Sequence, residues 1–318
     1  MFRFTTASLS ALTLLGVAMM GPGAQAQSAE QAFHLRGEEV TLPFTLAKNI
    51  PFIEGEVNGV RGKLMFDTGA RHALALNNRR VPLSGGTDAG SGLFGSGQTY
   101  AKLLHERVGP ITVGDMTFES ATQVQSQAAA QLERITPDFL GWIGYDFFDG
   151  YAIKLDYDAL QVTFYKDGPD VAARYLEGET VVGVIPFETR LLPNNPMTSA
   201  TLGSTSLELV FDTGQYGMLF AEQAAIDRLM AEGRVKPAAD DRIDVSGLVI
   251  GDNALTLDIN IDVMDRTFPP AAALDVHSPV VVSLGYAILS QYKTVWDYSA
   301  KRIYLLERGP SPAQSPDV

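Results

Sequence analysis

Cysteine is absent from the 318 residues, which excludes disulfides, thiolate metal sites and thiol catalysis together. Histidine is scarce. His34, His72, His105 and His277 are scattered, and "HERVG" at His105 lacks the second histidine of a zinc-protease helix, so no metal site is expected. There is no G-x-S-x-G elbow. Basic residues number 24 against 37 acidic, and the net charge of -13 argues against nucleic acid or an anionic membrane as partner, since both select Lys/Arg patches. The apolar run at 7–20 is too short to span a bilayer comfortably. It follows the basic Arg3 and precedes Gly21-Pro22-Gly23 and then Ala24-Gln25-Ala26, the small-x-small pattern of a signal-peptide cleavage site. Residues 1–26 therefore read as a signal peptide cut after Ala26. The expectation is an exported, periplasmic protein with no membrane partner after cleavage; an uncleaved anchor is the alternative.

What is present is apolar and repetitive. An apolar content of 46% against 19% charged residues supplies a full core for one large domain or two ordinary ones. "LMFDTGA" ends at Ala70 and "LVFDTGQ" at Gln215, and the shift that lays Asp67 on Asp212 also lays Pro51 on Pro196, Val57 on Leu202 and Phe66 on Phe211. A second block, "IGYDFFDGYAIKLDYDALQVTFYK" from Ile143, matches "LGYAILSQYKTVWDYSAKRIYLLE" from Leu284, pairing Gly144 with Gly285, Tyr145 with Tyr286 and Tyr157 with Tyr298. Pro43-Phe44 pairs more weakly with Pro186-Phe187. The chain thus divides into an N-terminal extension at 27–37, one unit at 38–166, a linker at 167–178, a second unit at 179–307 and a Pro/Ser-rich tail at 308–318 expected to be disordered.

Within each unit the signals are mostly β. "EGEVNGVRGKLMFDTG" alternates around the turn dipeptide Asn58-Gly59, and "YAIKLDYDALQVTFY" and "YKTVWDYSAKRIYLL" each read as two strands about a turn. One helix is expected, with Phe220, Ala224, Leu229 and Met230 on one face and Gly233 ending it. The fold class that follows is mainly β with a few short helices, arranged as two β units about an approximate two-fold axis.

A single Asp-Thr-Gly is most often a turn whose carboxylate binds nearby N–H groups. Two of them, each capping an apolar strand at the same place in a duplicated unit, allow Asp67 and Asp212 to meet. Paired carboxyls within hydrogen-bond reach share a proton, the arrangement needed to activate a water and protonate a developing oxyanion. On these residues the chain resembles the retropepsin-like aspartic proteases in the tandem form of bacterial exported proteins, and more distantly the pepsin family. The shared features are the apolar strand into Asp-Thr-Gly and the later Trp142-Ile143-Gly144 and Ser283-Leu284-Gly285 elements with their aromatic hairpins. Gln215 and Ser283 depart from it, where the family usually carries a small or hydroxyl residue and an apolar one.

The resemblance implies two retropepsin-like lobes, a catalytic dyad of Asp67 and Asp212, and loops supported by Thr68, Gly69, Thr213 and Gly214. It also implies that the later Gly elements pack behind the active-site loops. The glycine-rich 84–97 stretch falls where the family has a flap over the substrate, so Gly92, Leu93, Phe94 and Gly95 become flap residues, with Tyr100 at its base. A single flap is expected, from the first unit, and its removal is expected to change kinetics with little effect on stability. The G-x-G-x-x-G at Gly90, Gly92 and Gly95 lacks the strand before and helix after that a dinucleotide site needs, so no cofactor is expected. Asp156 and Asp158 read as turn residues rather than calcium ligands. The leading expectation is an aspartic endopeptidase acting on peptide or protein substrates as a monomer with an internal pseudo-dimer. A peptide-binding module of the same fold with little turnover, and a dimer pairing its units between chains, are the alternatives.

Overall fold

The structure, a computed structural model, describes residues 33–251 and 255–309. The expected signal peptide, residues 27–32 of the extension and residues 310–318 of the tail lie outside the described residues. Strands dominate and form sheets of ten, seven and six, while the helices run from four to nine residues. Among the described residues no helix is long and apolar enough to cross a membrane.

The ten-stranded sheet draws its strands from Thr45–Ala47 through Phe139–Ile143. At its centre, Ile50–Val57 turns through Asn58 (φ 52) and Gly59 (φ 79) into Val60–Phe66, the two positive φ values matching the twist of a tight hairpin. Val60–Phe66 then pairs in parallel with Phe139–Ile143, placing Met65 beside Trp142 and Phe66 beside Ile143. With neighbours on both sides, the end of this strand is dry: Leu64, Met65 and Phe66 have no exposed surface. The seven-stranded sheet repeats the plan. Thr205–Phe211 pairs with Met197–Leu202 on one side and, in parallel, with Val281–Leu284 on the other. Both central strands therefore deliver the residue after their last phenylalanine straight into the interior.

The six-stranded sheet joins the halves, in the order Glu39–Pro43, Gln161–Lys166, Tyr151–Asp156, Lys293–Asp297, Arg302–Leu306, Val181–Pro186. Three strands come from each sequence repeat, and Ile153 facing Trp296 marks the junction. Aromatic contacts cross in both directions. Tyr157 packs edge-on against Tyr286 at 5.2 Å, and its repeat counterpart Tyr298 packs against Tyr145 at 5.0 Å. The turn carboxylates behave as expected: Asp156 accepts the N–H groups of Asp158 and Ala159, and Asp297 accepts that of Ala300.

One local expectation changes. The helix spans Gln223–Ala231 and buries Ile226 and Leu229, but Phe220 belongs to the strand Gly217–Ala221, because Glu222 is still extended. The stretch 167–178 contains the helix Val171–Tyr175, and the Tyr175 hydroxyl donates to Asp297 at 2.7 Å.

Candidate active site

Asp67 and Asp212 meet at the ends of the two central strands, and neither has exposed surface. Their loops interlock. The Thr68 N–H donates to Thr213 Oγ1 and the Thr213 N–H to Thr68 Oγ1, each at 3.0 Å, while Thr213 Oγ1 donates onward to the Phe66 carbonyl at 2.9 Å. Three buried bonds of about 1 kcal/mol each fix one loop against the other. Glycine is required at both facing positions. A Cβ on Gly69 would lie 2.7 Å from Asp212 Cγ, and one on Gly214 would lie 2.6 Å from Asp67 Cγ.

The inner carboxyl oxygens are held by backbone. Asp212 Oδ1 accepts the N–H groups of Gly214 at 2.8 Å and Gly69 at 3.2 Å, and Asp67 Oδ1 accepts that of Ala70 at 3.0 Å. The Oδ2 atom of each aspartate has no N–H or O–H donor among the described residues. Burial, then the adjacent Asp212 charge, holds Asp67 well above the usual carboxylate range against the pull of the Ala70 and Gly69 N–H groups. Burial raises Asp212 as well, opposed first by the Gly214 N–H and then by Asp67 and the Gly69 N–H. Two buried neighbours of this kind do not ionise together cheaply, so the pair titrates as a unit around one shared proton. The anion is better held on Asp212, whose Oδ1 accepts two N–H hydrogen bonds where Asp67 Oδ1 accepts one.

The later elements sit directly behind these loops. A Cβ on Gly144 would lie 2.3 Å from the Ala70 carbonyl oxygen, and one on Gly285 would lie 2.0 Å from that of Gln215. The two departures found in the sequence answer each other: the Gln215 amide donates to the Ser283 hydroxyl, and both side chains are buried.

The glycine-rich stretch is a hairpin, Thr87–Leu93 with Thr99–Val108, closed at its tip by Phe94 N–H to Gln98 O and Gly97 N–H to Phe94 O. Gly92 pairs with Tyr100, while Gly95 and Leu93 flank the Phe94 turn. The tip reaches the other half of the chain: Arg266 Nη1 donates to the Ser96 carbonyl at 3.3 Å, and Gly97 lies against Pro269. Tyr100 stands at the base, where burial and then the Asp67 charge push its phenol up to about 12. Phe94 differs from expectation. It is 4% exposed and packs at a tilt against Tyr100, ring centres 4.2 Å apart, within a cluster containing Phe52, Met65 and Trp142. Removing this tip would open that cluster, so the deletion would lower stability, contrary to the expectation of little effect.

Several site residues had no signal in the sequence. Asn194 is fully buried and donates from Nδ2 to the carbonyls of Thr68 (3.1 Å) and Gly69 (2.9 Å), so the second half braces the first half's loop. Its place in "PNNP" reads only as a turn. Lys102, Gln125 and Gln127 are buried on strands whose polar residues read as solvent-facing. Among the described residues no group of three or more His, Cys, Asp or Glu is placed to hold a metal ion. The chain matches no protein-family model and no curated protein.

Proposed function

We propose that this protein is an aspartic endopeptidase of the tandem retropepsin-like kind, with Asp67 and Asp212 as the dyad of one active site shared by two lobes of a single chain. One observation carries the reading: two fully buried carboxyls, each following an apolar strand into Asp-Thr-Gly, face each other across loops locked by reciprocal threonine bonds. A structural carboxyl pair has no use for this cost. It is desolvated, and ionising both of its members is opposed by their mutual repulsion.

The chemistry follows from the two environments. Asp212, stabilised as an anion by the Gly69 and Gly214 N–H groups, takes a proton from a water bound between the carboxyls. Asp67 holds the shared proton and gives it to the carbonyl oxygen as the hydroxide oxygen bonds to carbon. Collapse of the tetrahedral adduct returns the oxygen's proton to Asp67 and passes the proton on Asp212 to the leaving amine. The hairpin bearing Tyr100 serves as a flap that excludes water other than the reactant. The signal-like residues 1–26 fit export to the periplasm, and a monomer suffices because one chain supplies both carboxyls.

The test is incubation of the protein lacking residues 1–26 with a diverse peptide mixture from pH 3 to pH 8, with new termini identified by mass spectrometry. Cleavage that disappears in Asp67→Asn and in Asp212→Asn supports the assignment. Peptides that bind but stay intact at every pH would establish a binding module instead.

A further inference from the structure

Beside Asp67, the first half of the cleft holds a small polar cavity that the dyad chemistry does not use. About 20 Å³ of free space is enclosed by Ala70, His72, Tyr100, Gln125, Gln127 and Trp142. Strand pairing explains why these residues meet. Trp142 and Gln125 both pair with Ala75, one from each side, so the three stand in a row on the same sheet face. Gln127 follows Gln125 on that face. Tyr100 and Ala70 connect the cavity to the dyad, since Tyr100 feels the Asp67 charge and the Ala70 N–H binds Asp67.

The wall carries unmet hydrogen-bonding capacity. Gln127 is 3% exposed and Trp142 is 1% exposed, yet Gln127 Oε1 and Trp142 Nε1 have no partner, and neither has His72 Nε2. Buried polar atoms of this kind cost about 1–3 kcal/mol each until something satisfies them. Burial, with Lys102 and Arg71 nearby, holds the His72 imidazole down to about 4, so it is neutral and offers one donor and one acceptor nitrogen.

Resting on the protease reading, we infer that this cavity is a specificity subsite for a substrate side-chain carboxamide, glutamine or asparagine. A primary amide can accept from the Trp142 N–H and donate to the Gln127 carbonyl oxygen at once, and unlike a hydroxyl, with its single proton, it keeps a second N–H for His72 Nε2. An aliphatic side chain would leave all three wall atoms desolvated and unpaired. A lysine or arginine would meet the like charges of Lys102 and Arg71. Lys102 attracts a carboxylate and Arg71 is paired with Asp146 at 2.7 Å, but a carboxylate has no proton to donate to Gln127 Oε1, which stays desolvated and unpaired. The counterpart region of the second half differs: Ser283 and Asp262 pair with Met218, and Met264 pairs with Phe220, so apolar side chains replace Ala75, Gln127 and Asn77. Amide selectivity belongs to one side of the scissile bond only.

The experiment uses the protein without residues 1–26 and a peptide mixture derived from a whole proteome, followed by synthetic versions of the best-cut peptide carrying Gln, Glu, Leu or Lys at the enriched position. Gln or Asn should be enriched at one position next to the cleaved bond, with kcat/KM falling about 10–100-fold for Leu, Glu and Lys. Gln127→Met, which keeps side-chain volume, should bring the Gln-to-Leu ratio close to one. The wild-type panel decides the matter even should that variant fold poorly. Cleavage without carboxamide enrichment, Glu cut as well as Gln, or an unchanged ratio in a folded Gln127→Met protein overturns the subsite alone. No cleavage of any peptide, as in Asp67→Asn, overturns the protease reading and the subsite with it.

Discussion

The two Asp-Thr-Gly loops are nearly identical as sequence and unlike as environments. Asp212 Oδ1 gathers two N–H groups, whereas Asp67 Oδ1 has one. Behind the first loop a small residue, Ala70, stands with a large one, Trp142. Behind the second, the large Gln215 stands with the small Ser283 and is tied to it by a hydrogen bond. The first half carries a long hairpin whose tip touches the other half. The second half has a stub in the corresponding place, Val235–Pro237 against Ile243–Val245. A duplicated unit keeps what the shared centre requires from both copies, and the copies diverge where each meets something different. In this chain that means the N–H bonding of each carboxyl, the wall beside Asp67, and the length of the hairpin.

The largest expected effect tests the centre itself. Asp67→Asn and Asp212→Asn should each lower kcat/KM by at least about 10³-fold, because one shared proton needs both carboxyls. Stability then separates the two. A carboxyl whose folded pKa is raised contributes full stability below its unfolded value, and loses it as pH rises through the folded value. Both variants should therefore melt higher than wild type at pH 7 and converge with it near pH 3. The gain should be greater for Asp67→Asn, since one N–H hydrogen bond offsets the burial of Asp67 where two offset that of Asp212. Thermal melts across pH check this, and a larger gain for Asp212→Asn would reverse the proton assignment.

Next in size is the threonine lock, where the halves also differ. Thr213 Oγ1 accepts from Thr68 N–H and donates to the Phe66 carbonyl, so Thr213→Val strands two buried backbone groups. Thr68→Val strands one, the Thr213 N–H. The expected losses are about 2–4 and about 1–2 kcal/mol. Urea unfolding of the two variants measures the difference, and equal losses would show that the lock is symmetric.

A smaller effect tests whether Gln215 and Ser283 changed together. In a double-mutant cycle, Gln215→Leu and Ser283→Ala should couple by about 1 kcal/mol, each single change leaving a buried polar partner unpaired. No coupling would mean the two departures are independent.

How much of this could be read beforehand divides along physical lines. The meeting of Asp67 and Asp212, with the flanking threonines and glycines, was legible because duplication placed Asp67 on Asp212 in like surroundings, and geometry then demanded small residues at Gly69 and Gly214. Strand ends at Phe66 and Phe211 were legible for the same reason. Phe220 was misread because its apolar strand abuts the helix, and helical spacing can be counted across Glu222. The wall of the small cavity was not legible at all. "ATQVQSQ" has the alternation of a half-exposed strand, and nothing local reveals that Gln125 and Gln127 face inward. Asn194 acts across 125 residues of chain on the Gly69 carbonyl, which no local pattern records.

The smallest expected effect concerns closure. If the first half alone supplies a flap, loosening its tip should matter and altering the stub should not. Arg266 Nη1 holds the Ser96 carbonyl through one exposed bond, worth about 0.5–1 kcal/mol, so Arg266→Ala should shift KM by about 2–5-fold. The change should fall on KM more than on kcat, because the dyad and its lock are untouched. At the tip of the stub, Asp240 is exposed with φ 58, a conformation glycine accepts freely, so Asp240→Gly should leave both constants unchanged. Steady-state kinetics on one cleaved peptide reads both variants. An equal shift from Asp240→Gly would mean that both hairpins close over the substrate, and the asymmetry drawn from their lengths would be lost.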